Sequence, residues 1–374
     1  NIEQSLKLVQ GQNYDPLDYL SFQDIINKNK FFINNSILKK NIKNRSIMIT
    51  GAGGSIGSEL ANQILNFFPK KIFLLDNSEI NLYKIYNQLI FKYPKLSNKI
   101  EIVLCDCNHI KILKQKISKN KIDIIFHAAA YKHVWFGEIN NYAMLYNNIN
   151  GLIQMLNFCR YKKAKKFIFI SSDKAVNPKS VLGISKKIGE DIVCYFYRFV
   201  NKNTNYSIVR FGNVIGSSGS VIPKFINQIK EEKYITLSHK KVKRYFMSIE
   251  EAVYLTLYSM SLFKRINIFA LDMGSQINIY DIATRLVRLS GKNIKSSSNR
   301  RGDIEIKLTG LKKGEKLKEE ISLGKNLEKT SHPKIFKCNE YVNYQKLKNK
   351  IPKIFEISKL EKKINLKKLF YDFK

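Results

Sequence analysis

The sequence predicts an α/β protein built on a doubly wound parallel sheet, with a smaller C-terminal lobe. From residue 45 onward, short apolar runs rich in β-branched residues alternate with stretches of helical spacing. This alternation is typical of strand–helix–strand units, in which helices cover both faces of a parallel sheet. A glycine-rich turn also joins the first predicted strand to the first predicted helix, which is typical of sheets that bind a ligand at their carboxyl edge.

The predicted elements follow in regular order. Strands are predicted at residues 46–50, 71–76, 100–106, 122–127, 166–172, 206–211 and 266–272. Helical spacing separates several of them, at residues 58–68, 81–93, 109–118 and 148–161. After residue 213 the pattern changes to Gly/Ser turns and mixed helices, which predicts a smaller lobe over the carboxyl edge of the sheet.

The composition is that of a globular chain with a core. Of 374 residues, 44% are apolar and 25% are charged, and no apolar run approaches the ~18 residues of a membrane-spanning helix. Five cysteines, an odd number, argue against a disulfide framework and for a reducing compartment. Cys105 and Cys107 form a single close pair, and without a second pair we predict no metal site.

The charge is strongly basic. Lys and Arg number 65 against 30 Asp and Glu, a formal net charge of +35, which would suit nucleic acid or an anionic membrane. The lysines are spread along the chain with many Ile and Asn, a bias that AT-rich coding favours. No RNP-type motif or zinc-finger spacing accompanies them. We therefore expect solvated surface charge and no specific nucleic-acid partner, with a functional attraction for anions as the alternative.

The glycine-rich turn predicts a dinucleotide site. Gly51, Gly54 and Gly57 let the backbone turn tightly and approach a pyrophosphate, which then lies at the helix start beside Ser55 and Ile56. The spacing is Gly-x-x-Gly-x-x-Gly, which differs from the Gly-x-Gly-x-x-Gly of long-chain dehydrogenases. The strand before the turn and the helix after it support the prediction.

The ends of the next strands fit the same ligand. Asp76 ends the second strand, where its carboxylate can accept both ribose hydroxyls and repel a 2′-phosphate, so NAD is favoured over NADP. Asp106 follows the third strand, where it can face the adenine amino group. His127 ends the fourth strand and is expected to be a packed residue. Small residues follow it and let a cofactor lie flat against the backbone: Ala128, Ala129 and Ala130.

A polar cluster predicts a catalytic site at the end of the fifth strand. Ser171, Ser172, Asp173 and Lys174 follow one another there, and Lys186 lies on the next predicted helix. A neighbouring acid and amine can hold different protonation states and act as acid and base in one turnover. The alternative is a surface ion pair in a loop, which is less expected beside a nucleotide site.

Several segments together resemble a known family. They are TGAGGSIGSEL, LLDNSEINLY, FHAAAYKHV, SSDKAVNP, VRFGNVIGSSGSVIPKF, KRYFMSIEEAV and GLKKGEKLKEE. The chain resembles, from about residue 45 to 335, the extended short-chain dehydrogenase/reductases, and among them the CapD-like UDP-N-acetylglucosamine 4,6-dehydratases. The stretch DPLDYLSFQDII is similar to the linker that follows a membrane-spanning region in larger members. The resemblance thus implies that the chain is the catalytic part of such a protein.

The resemblance implies a redox-neutral elimination of water from a UDP-sugar, with NAD reduced at one step and regenerated at another. It implies that Ser172 hydrogen-bonds near O4, that Asp173 protonates the departing C6 hydroxyl and that Lys174 takes the C5 proton. Lys186 would hold the nicotinamide ribose, and Asn148 would be a further cofactor contact. The product would be a UDP-4-keto-6-deoxy-N-acetylhexosamine for capsule, lipopolysaccharide or another surface glycan.

The chain departs from the family pattern at two places. Leu182 stands where the superfamily usually has the Tyr that accepts the alcohol proton. Leucine cannot carry a proton, so the group that deprotonates the 4-hydroxyl stays open between Asp173, Lys186 and a water. The segment VWFGE, at 134–138, replaces a Pro-containing segment of relatives and is expected to reshape the substrate rim.

The predicted lobe supplies the groups that a nucleotide-sugar diphosphate needs. Asn213 follows the sixth strand, and Arg244 matches the family's phosphate-binding Arg, whose guanidinium suits bidentate contact with phosphate. Glu315 lies in a second motif of the lobe, and Lys132 is a further expected substrate contact. The predicted units are a lead-in or linker at 1–44, a Rossmann domain at 45–212 completed by 248–274, a substrate lobe at 213–247 and 275–340, and a basic tail at 341–374.

Three functions remain open at this point. The first is the 4,6-dehydratase. The second is another nucleotide-sugar enzyme of the superfamily, such as an epimerase or reductase, which the absent Tyr makes less expected. The third is a non-catalytic NAD-binding protein that docks through its charge. A homo-oligomer in the cytoplasm is expected, at the inner face of the bacterial membrane if a membrane-spanning region precedes the chain.

Overall fold

The computed structural model describes residues 35–359 apart from 218, 232–233, 263–264, 297–298, 324–326 and 341. Most of the expected lead-in and the end of the expected tail, residues 1–34 and 360–374, therefore lie outside the described residues. Of the helices in the described part of the chain, none combines the length and apolar character needed to cross a membrane.

The described strands are short and mostly parallel. In chain order they are β1 (Ser46–Thr50), β2 (Lys71–Asp76), β3 (Ile100–Leu104), β4 (Ile124–His127), β5 (Lys166–Ile170), β6 (Asn205–Arg210), β7 (Asn213–Val214), β8 (Tyr234–Leu237), β9 (Lys243–Arg244), β10 (Phe246–Met247), β11 (Ile266–Leu271), β12 (Ile277–Asn278), β13 (Ile294–Lys295), β14 (Ile304–Leu308), β15 (Leu327–Lys329) and β16 (Ile335–Cys338).

The described α-helices separate most of these strands. They are α1 (Asn35–Ile42), α2 (Ser55–Leu65), α3 (Glu79–Lys92), α4 (Ile110–Lys116), α5 (Val134–Ile139), α6 (Asn141–Leu145), α7 (Gly151–Tyr161), α8 (Val181–Tyr195), α9 (Val221–Glu231), α10 (Ile249–Ser259), α11 (Ile279–Leu289) and α12 (Tyr344–Lys359). Single π-helical turns, Tyr146–Asn150 and Phe196–Val200, adjoin α7 and α8.

The main sheet confirms the predicted fold class. Its strand order is β15-β16-β11-β6-β5-β4-β1-β2-β3. Strand β1 pairs in parallel with both β2 and β4. The strand order therefore reverses at β1, with β2 and β3 on one side and β4, β5 and β6 on the other. In such sheets ligands bind beyond the carboxyl ends of the strands at this switch point. All five residues of β1 are buried, as expected for a strand covered by helices on both faces.

Two apolar cores lie on the two faces of the sheet. One contains side chains of α1, α2, α3 and α10, and the other contains side chains of α4, α7, α8 and α12. Ser180 caps α8 by accepting a hydrogen bond from the Gly183 amide, which fixes where the helix that carries Lys186 begins. The helices therefore bury the sheet and leave its carboxyl edge for the site.

The smaller lobe has a core of its own. Strands β13, β14 and β8 form a parallel three-stranded sheet, and α9 and α11 pack on it through Phe225 and Leu286. Two segments differ from the expected boundaries. Strands β15 and β16, expected in the lobe, extend the main sheet because β16 pairs antiparallel with β11. Helix α12, expected in the basic tail, buries Leu347 and Ile351 in the core beside α8.

A buried ion cluster joins β6, α8 and the chain after β16. Arg210, only 1% exposed, donates to Glu190 through Nε (2.7 Å) and Nη2 (2.6 Å), and through Nη2 to Glu340 (2.9 Å). Ser171, at the end of β5, donates to the same Glu190 at 2.6 Å. A buried cation between two carboxylates costs desolvation, and removing it leaves both acids uncompensated.

We expect Arg210→Met to lower the free energy of unfolding by ~3–5 kcal/mol, the scale for breaking a buried ion pair. Urea denaturation measures the loss. The control is Lys337→Met, which removes an exposed pair with Glu328 (3.1 Å) and should cost ~1 kcal/mol or less. Equal losses in the two variants would contradict a structural role for the buried cluster.

Candidate active site

The glycine-rich turn after β1 is fixed by close packing. Gly51 has φ +67°, and a Cβ on it would lie 2.7 Å from the amide nitrogen of Ala129. A Cβ on Gly57 would lie 2.0 Å from the Gly51 carbonyl oxygen. Only glycine fits either place, because one needs a left-handed backbone and both need backbones in contact. The turn therefore brings the start of α2 against the end of β4.

A cleft of about 210 Å³ lies beyond this turn. Seven of the residues predicted to bind a cofactor line it: Gly51, Gly54, Asp76, Asp106, Ala128, Ala129 and Ala130. Other lining residues were not singled out from the sequence, namely Asn77, Ser78, Asn81, Tyr131 and Asn147. They follow predicted strand ends or begin helices. Their place at the carboxyl edge of the sheet could therefore have suggested them as cofactor contacts.

The carboxylate of Asp76 has a fixed orientation at the cleft. Its Oδ2 accepts from the Gly53 amide and its Oδ1 from the Ser78 amide, both at 2.9 Å. Each oxygen keeps a lone pair for a further donor, so the carboxylate can accept two neighbouring hydroxyls of a ribose. Asp106 is held in the same way by Asn108, whose backbone and side-chain N–H groups donate to Oδ1 at 2.7 and 2.8 Å.

Five residues expected to touch a cofactor do not line the cleft: Ser55, Ile56, Gly57, Asn148 and Lys186. Asn148 is buried and holds other groups in place. It accepts from the Tyr131 amide (2.8 Å) and donates to the Tyr131 carbonyl (3.1 Å) and to Ser185 (3.0 Å). Because Tyr131 lines the cleft, Asn148 positions its wall.

Lys186 is buried between the strand ends and α8. Its Nζ donates to the Ile170 carbonyl at 2.8 Å and lies 5.0 Å from the ring centre of Phe169. Burial lowers the pKa of Lys186 to about 8, and the charge of Glu190 opposes that shift. The amine thus stays mostly charged at neutral pH but releases a proton more easily than an exposed lysine.

His127, at the end of β4, is a packed residue. Its Nδ1 shares a hydrogen bond of 2.8 Å with the Thr50 hydroxyl, and its ring stacks on Phe169. Burial, with help from the charge of Lys186, lowers the pKa of His127 to about 3. The imidazole is therefore neutral at physiological pH.

A second cavity, of about 320 Å³, lies between the end of β5 and the smaller lobe. Four residues predicted from the sequence line it, namely Lys174, Asn213, Arg244 and Glu315. Six cations contribute to its wall against two carboxylates, Glu315 and Glu319; the cations are Lys174, Lys179, Lys224, Arg244, Lys312 and Lys316. This excess of positive charge suits a ligand with phosphate groups.

Lys174 is held at the cavity by the residues before it. Its Nζ donates to Oδ1 of Asp173 (3.0 Å) and to Oδ1 of Asn213 (3.2 Å). Ser172 donates to the same Asp173 oxygen at 2.8 Å and accepts from the Lys174 amide. Asp173 is fully buried, and neither it nor Ser172 lines the cavity. Of these three residues only Lys174 lines the cavity.

The guanidinium of Arg244 is fixed by the lobe. Its Nη1 donates to the carbonyls of Lys243 (2.8 Å) and Leu317 (3.3 Å), and its Nη2 lies 3.5 Å from Oε1 of Glu315. Glu315 also accepts from Ser238 at 2.9 Å, so it orients Arg244. Lys132, predicted to bind substrate, is exposed and lines neither cavity.

Two residues that line the second cavity were not predicted individually from the sequence, Glu319 and Trp135. Glu319 is 5% exposed, and burial raises its pKa although Lys174, Arg244 and Lys316 oppose the shift. It lies in the GLKKGEKLKEE segment, where its place as the next carboxylate after Glu315 was the available signal. Trp135, from the VWFGE segment, lies at the wall with Lys312 4.9 Å above its ring.

Comparisons with known proteins show the family of the chain. Residues 47–340 match the family model described as polysaccharide biosynthesis protein. The chain is 38% identical over 312 residues to the capsular polysaccharide biosynthesis protein CapD of Staphylococcus aureus, covering 83% of this chain and 50% of that protein. It thus spans about half the length of that relative.

Solved structures share the fold. Pen from Bacillus thuringiensis superposes with a TM-score of 0.69 at 28% identity, covering 81% of this chain and 90% of that one. DesIV, a dTDP-glucose 4,6-dehydratase of Streptomyces venezuelae solved with NAD and TYD, superposes at 0.61 with 17% identity, covering 75% and 89%. The chain belongs to the polysaccharide biosynthesis protein family and is CapD-like.

We expect Gly51→Ala to destabilise the fold more than Gly291→Ala does. Both glycines have a positive φ, +67° and +73°, but a Cβ on Gly291 would meet nothing within 4 Å. Gly291→Ala should therefore lose only the left-handed penalty of ~1–2 kcal/mol, and Gly51→Ala should add the cost of moving β4 away. Urea denaturation of the two variants measures the difference. A smaller loss for Gly51→Ala would show that the turn can relax.

Proposed function

We propose that this chain is an NAD-dependent UDP-N-acetylglucosamine 4,6-dehydratase that serves surface polysaccharide biosynthesis. The observation that carries the proposal is the position of Lys174. It stands at a cavity rich in cations, at the end of β5, and β5 pairs with β4, whose following residues line the cleft beyond the glycine turn. A base between a cofactor cleft and a phosphate-binding cavity suits chemistry on a nucleotide sugar.

The cleft residues fit NAD. A dinucleotide needs backbone in close approach at its pyrophosphate, and Gly51 and Gly54 present backbone without side chains at the cleft. Asp76 would accept the adenosine-ribose hydroxyls and repel a 2′-phosphate, which favours NAD over NADP. When bound, NAD would supply the oxidation at C4 of the sugar and the reduction at C6.

Lys174 is proposed to take the C5 proton, which a 4-ketone makes acidic, once its ammonium group has lost a proton and become the neutral amine. Asp173 and Asn213 hold its Nζ toward the cavity. The family resemblance gives Asp173 the role of proton donor to the departing hydroxyl. Its Oδ1 accepts hydrogen bonds from Ser172 and Lys174, and its buried Oδ2 has no hydrogen-bond partner among the described residues, so Oδ2 is the oxygen that would carry the proton.

The lobe is proposed to bind the UDP portion. Arg244 offers a guanidinium fixed by two carbonyls, and Lys316, 7% exposed, also lines the cavity. Fixed cations of this kind bind a diphosphate with little loss of side-chain entropy. The uracil and N-acetyl preferences rest on the family resemblance.

An epimerase or reductase of the same superfamily is the alternative. The buried Leu182 argues against a simple C4-epimerase because it offers no group to carry the alcohol proton. A non-catalytic NAD-binding protein is less supported, because such a protein would not need Lys174 held at a second cavity by two partners.

Mass spectrometry tests the proposed function. The protein is incubated with UDP-N-acetylglucosamine and NAD, and the sugar nucleotide is analysed. Loss of one water is the expected result. A product of unchanged mass with altered C4 configuration would establish the epimerase, and no product together with salt-sensitive binding to DNA or anionic vesicles would favour the non-catalytic alternative.

We expect Lys174→Met to stop the reaction after the oxidation at C4. Methionine keeps most of the side-chain length but cannot take the C5 proton. Reduced nicotinamide should then accumulate on adding substrate, while water loss and deuterium uptake at C5 in D₂O fall by ~10²-fold or more. Absorbance and mass spectrometry give the two readouts. Lys318→Met, at an exposed position outside the cavity lining, is the control.

If Lys174→Met forms no reduced nicotinamide but still binds UDP as tightly as the wild type, Lys174 acts at the 4-hydroxyl, and its assignment to C5 alone is wrong. Full deuterium uptake at C5 would remove Lys174 from the elimination step altogether.

A further inference from the structure

We propose that the amino edge of the main sheet is a cationic surface that docks the protein on an anionic phospholipid membrane. The amino edge consists of the chain segments that lead into the parallel strands β1 to β6 and β11. The two cavities lie at the opposite, carboxyl edge, so docking would turn both away from the membrane. This inference goes beyond the proposed function and does not depend on it.

Exposed cations precede every parallel strand at this edge. At least one exposed Lys or Arg lies within the five residues before each strand. The ten cations are Lys43 and Arg45 before β1, Lys70 before β2, Lys95 before β3, Lys119 and Lys121 before β4, Lys163 and Lys165 before β5, Lys202 before β6 and Arg265 before β11.

Backbone hydrogen bonds bring the strand starts into one row. The Lys70 amide donates to the Arg45 carbonyl at 2.9 Å. The Asp123 amide donates to the Ser46 carbonyl at 2.8 Å, and the Asp123 carbonyl accepts from the Lys165 amide at 2.9 Å. Neighbouring strands are ~4.8 Å apart, which is less than the Debye length of ~8 Å at physiological ionic strength. The charges of adjacent segments therefore add together at the surface.

The two ends of the strands differ in the sign of their charge. At the carboxyl end, the first charged residue at or after the last residue of β2, β3, β5 and β11 is an aspartate. These residues are Asp76, Asp106, Asp173 and Asp272. A lysine excess that came from composition alone would fall on both ends alike. The placement therefore favours a functional attraction for anions at the amino edge.

The exposed cations at the amino edge have little internal compensation. Two acids lie beside the strand starts, and each pairs with a lysine, Asp123 with Lys121 (3.4 Å) and Glu101 with Lys71. Apart from Lys121, none of the ten exposed cations has a side-chain hydrogen bond or ion pair with another described residue. The half-buried Lys166, by contrast, donates to the Met260 carbonyl at 2.8 Å. The exposed cations are thus available to an external anion.

The cations form a two-dimensional array. Seven strand starts at ~4.8 Å spacing make a row roughly 30 Å long. On one face of the sheet, the last turn of α1 adds Lys39 and Lys40, and on the other face the last turn of α7 adds Arg160. A broad array matches the plane of a lipid leaflet better than the line of phosphates along a duplex.

Exposed aromatic side chains accompany the cations. Phe68 is 52% exposed, and its carbonyl accepts from the Asn44 amide at 3.2 Å, so it lies beside the segments before β1 and β2. Tyr161 is 51% exposed at the end of α7, and Nζ of Lys114 lies 4.6 Å from its ring centre. Aromatic and basic side chains together are typical of proteins at a membrane–water interface.

The test measures binding of the full chain to vesicles at ~0.15 M salt. The vesicles are phosphatidylcholine with about one-third phosphatidylglycerol, and pure phosphatidylcholine is the reference. The edge variant combines Arg45→Gln, Lys70→Gln and Lys165→Gln. Because each cation near an anionic leaflet adds to the affinity, we expect this variant to bind ~10²-fold more weakly than the wild type. Neither protein should bind pure phosphatidylcholine.

The matched control changes three exposed cations of the smaller lobe. It combines Arg285→Gln, Lys295→Gln and Arg300→Gln, which alters the net charge by the same amount. We expect the lobe variant to bind within about threefold of the wild type, because its changes lie beyond the screened range of the leaflet. Equal losses in the two variants, or a wild type that does not bind the anionic vesicles, would overturn the inference.

A DNA duplex at the same salt concentration separates the two kinds of anionic surface. If the edge variant loses affinity for the duplex but binds the anionic vesicles as the wild type does, the edge binds nucleic acid and the inference is wrong. A loss of vesicle binding with little wild-type affinity for the duplex would support it.

Amide hydrogen exchange of the wild type gives a measurement that needs no variant. On anionic vesicles, residues 43–45, 68–70 and 163–165 should exchange more slowly than in free protein, while residues 285–295 of the lobe should not change. Slower exchange in the lobe with no change at the amino edge would overturn the inference.

Discussion

The site depends on one buried carboxylate, that of Asp173. Its amide donates to the Phe211 carbonyl at 3.2 Å, which ties the end of β5 to the chain after β6. Its Oδ1 accepts from Lys174 at 3.0 Å, so the amine is held where the strand leaves the sheet. Removing the carboxylate would leave a partly buried ammonium with Asn213 as its remaining hydrogen-bond partner among the described residues. The sheet and the smaller lobe meet at this point, since Asn213 begins the chain that leads into the lobe.

The two cavities lie at the same edge of the sheet but present different charges. Strands β4 and β5 are neighbours, so the alanines after β4 and Lys174 after β5 stand at one edge of the sheet. The cofactor cleft has carboxylates oriented by backbone amides, while the cavity at the lobe has cations oriented by carbonyls. Carboxylates suit ribose hydroxyls and cations suit phosphates.

The sequence predicted the parts of the molecule that local pattern controls. Strands β1 and β2 begin and end where their apolar runs do, because a parallel strand buried on both faces is apolar throughout. The glycine turn and Asp76 were predictable because their chemistry is local to one strand–helix junction. Helix α12 was less predictable, because its many lysines and Pro352 weaken the apolar period that Leu347 and Ile351 maintain. Glu319 was missed, and Asn148 and Lys132 line neither cavity, because long-range packing decides which polar side chains face a cavity.

The migration of one hydrogen tests the central claim most directly. UDP-N-acetylglucosamine carrying deuterium at C4 is turned over with NAD, and the product is examined by mass spectrometry and NMR. The dehydratase account predicts a product one water lighter that retains the deuterium, now at C6, because the same cofactor site removes and returns it. Deuterium that remains at C4, or that is lost to solvent with no loss of water from the sugar, would contradict the account.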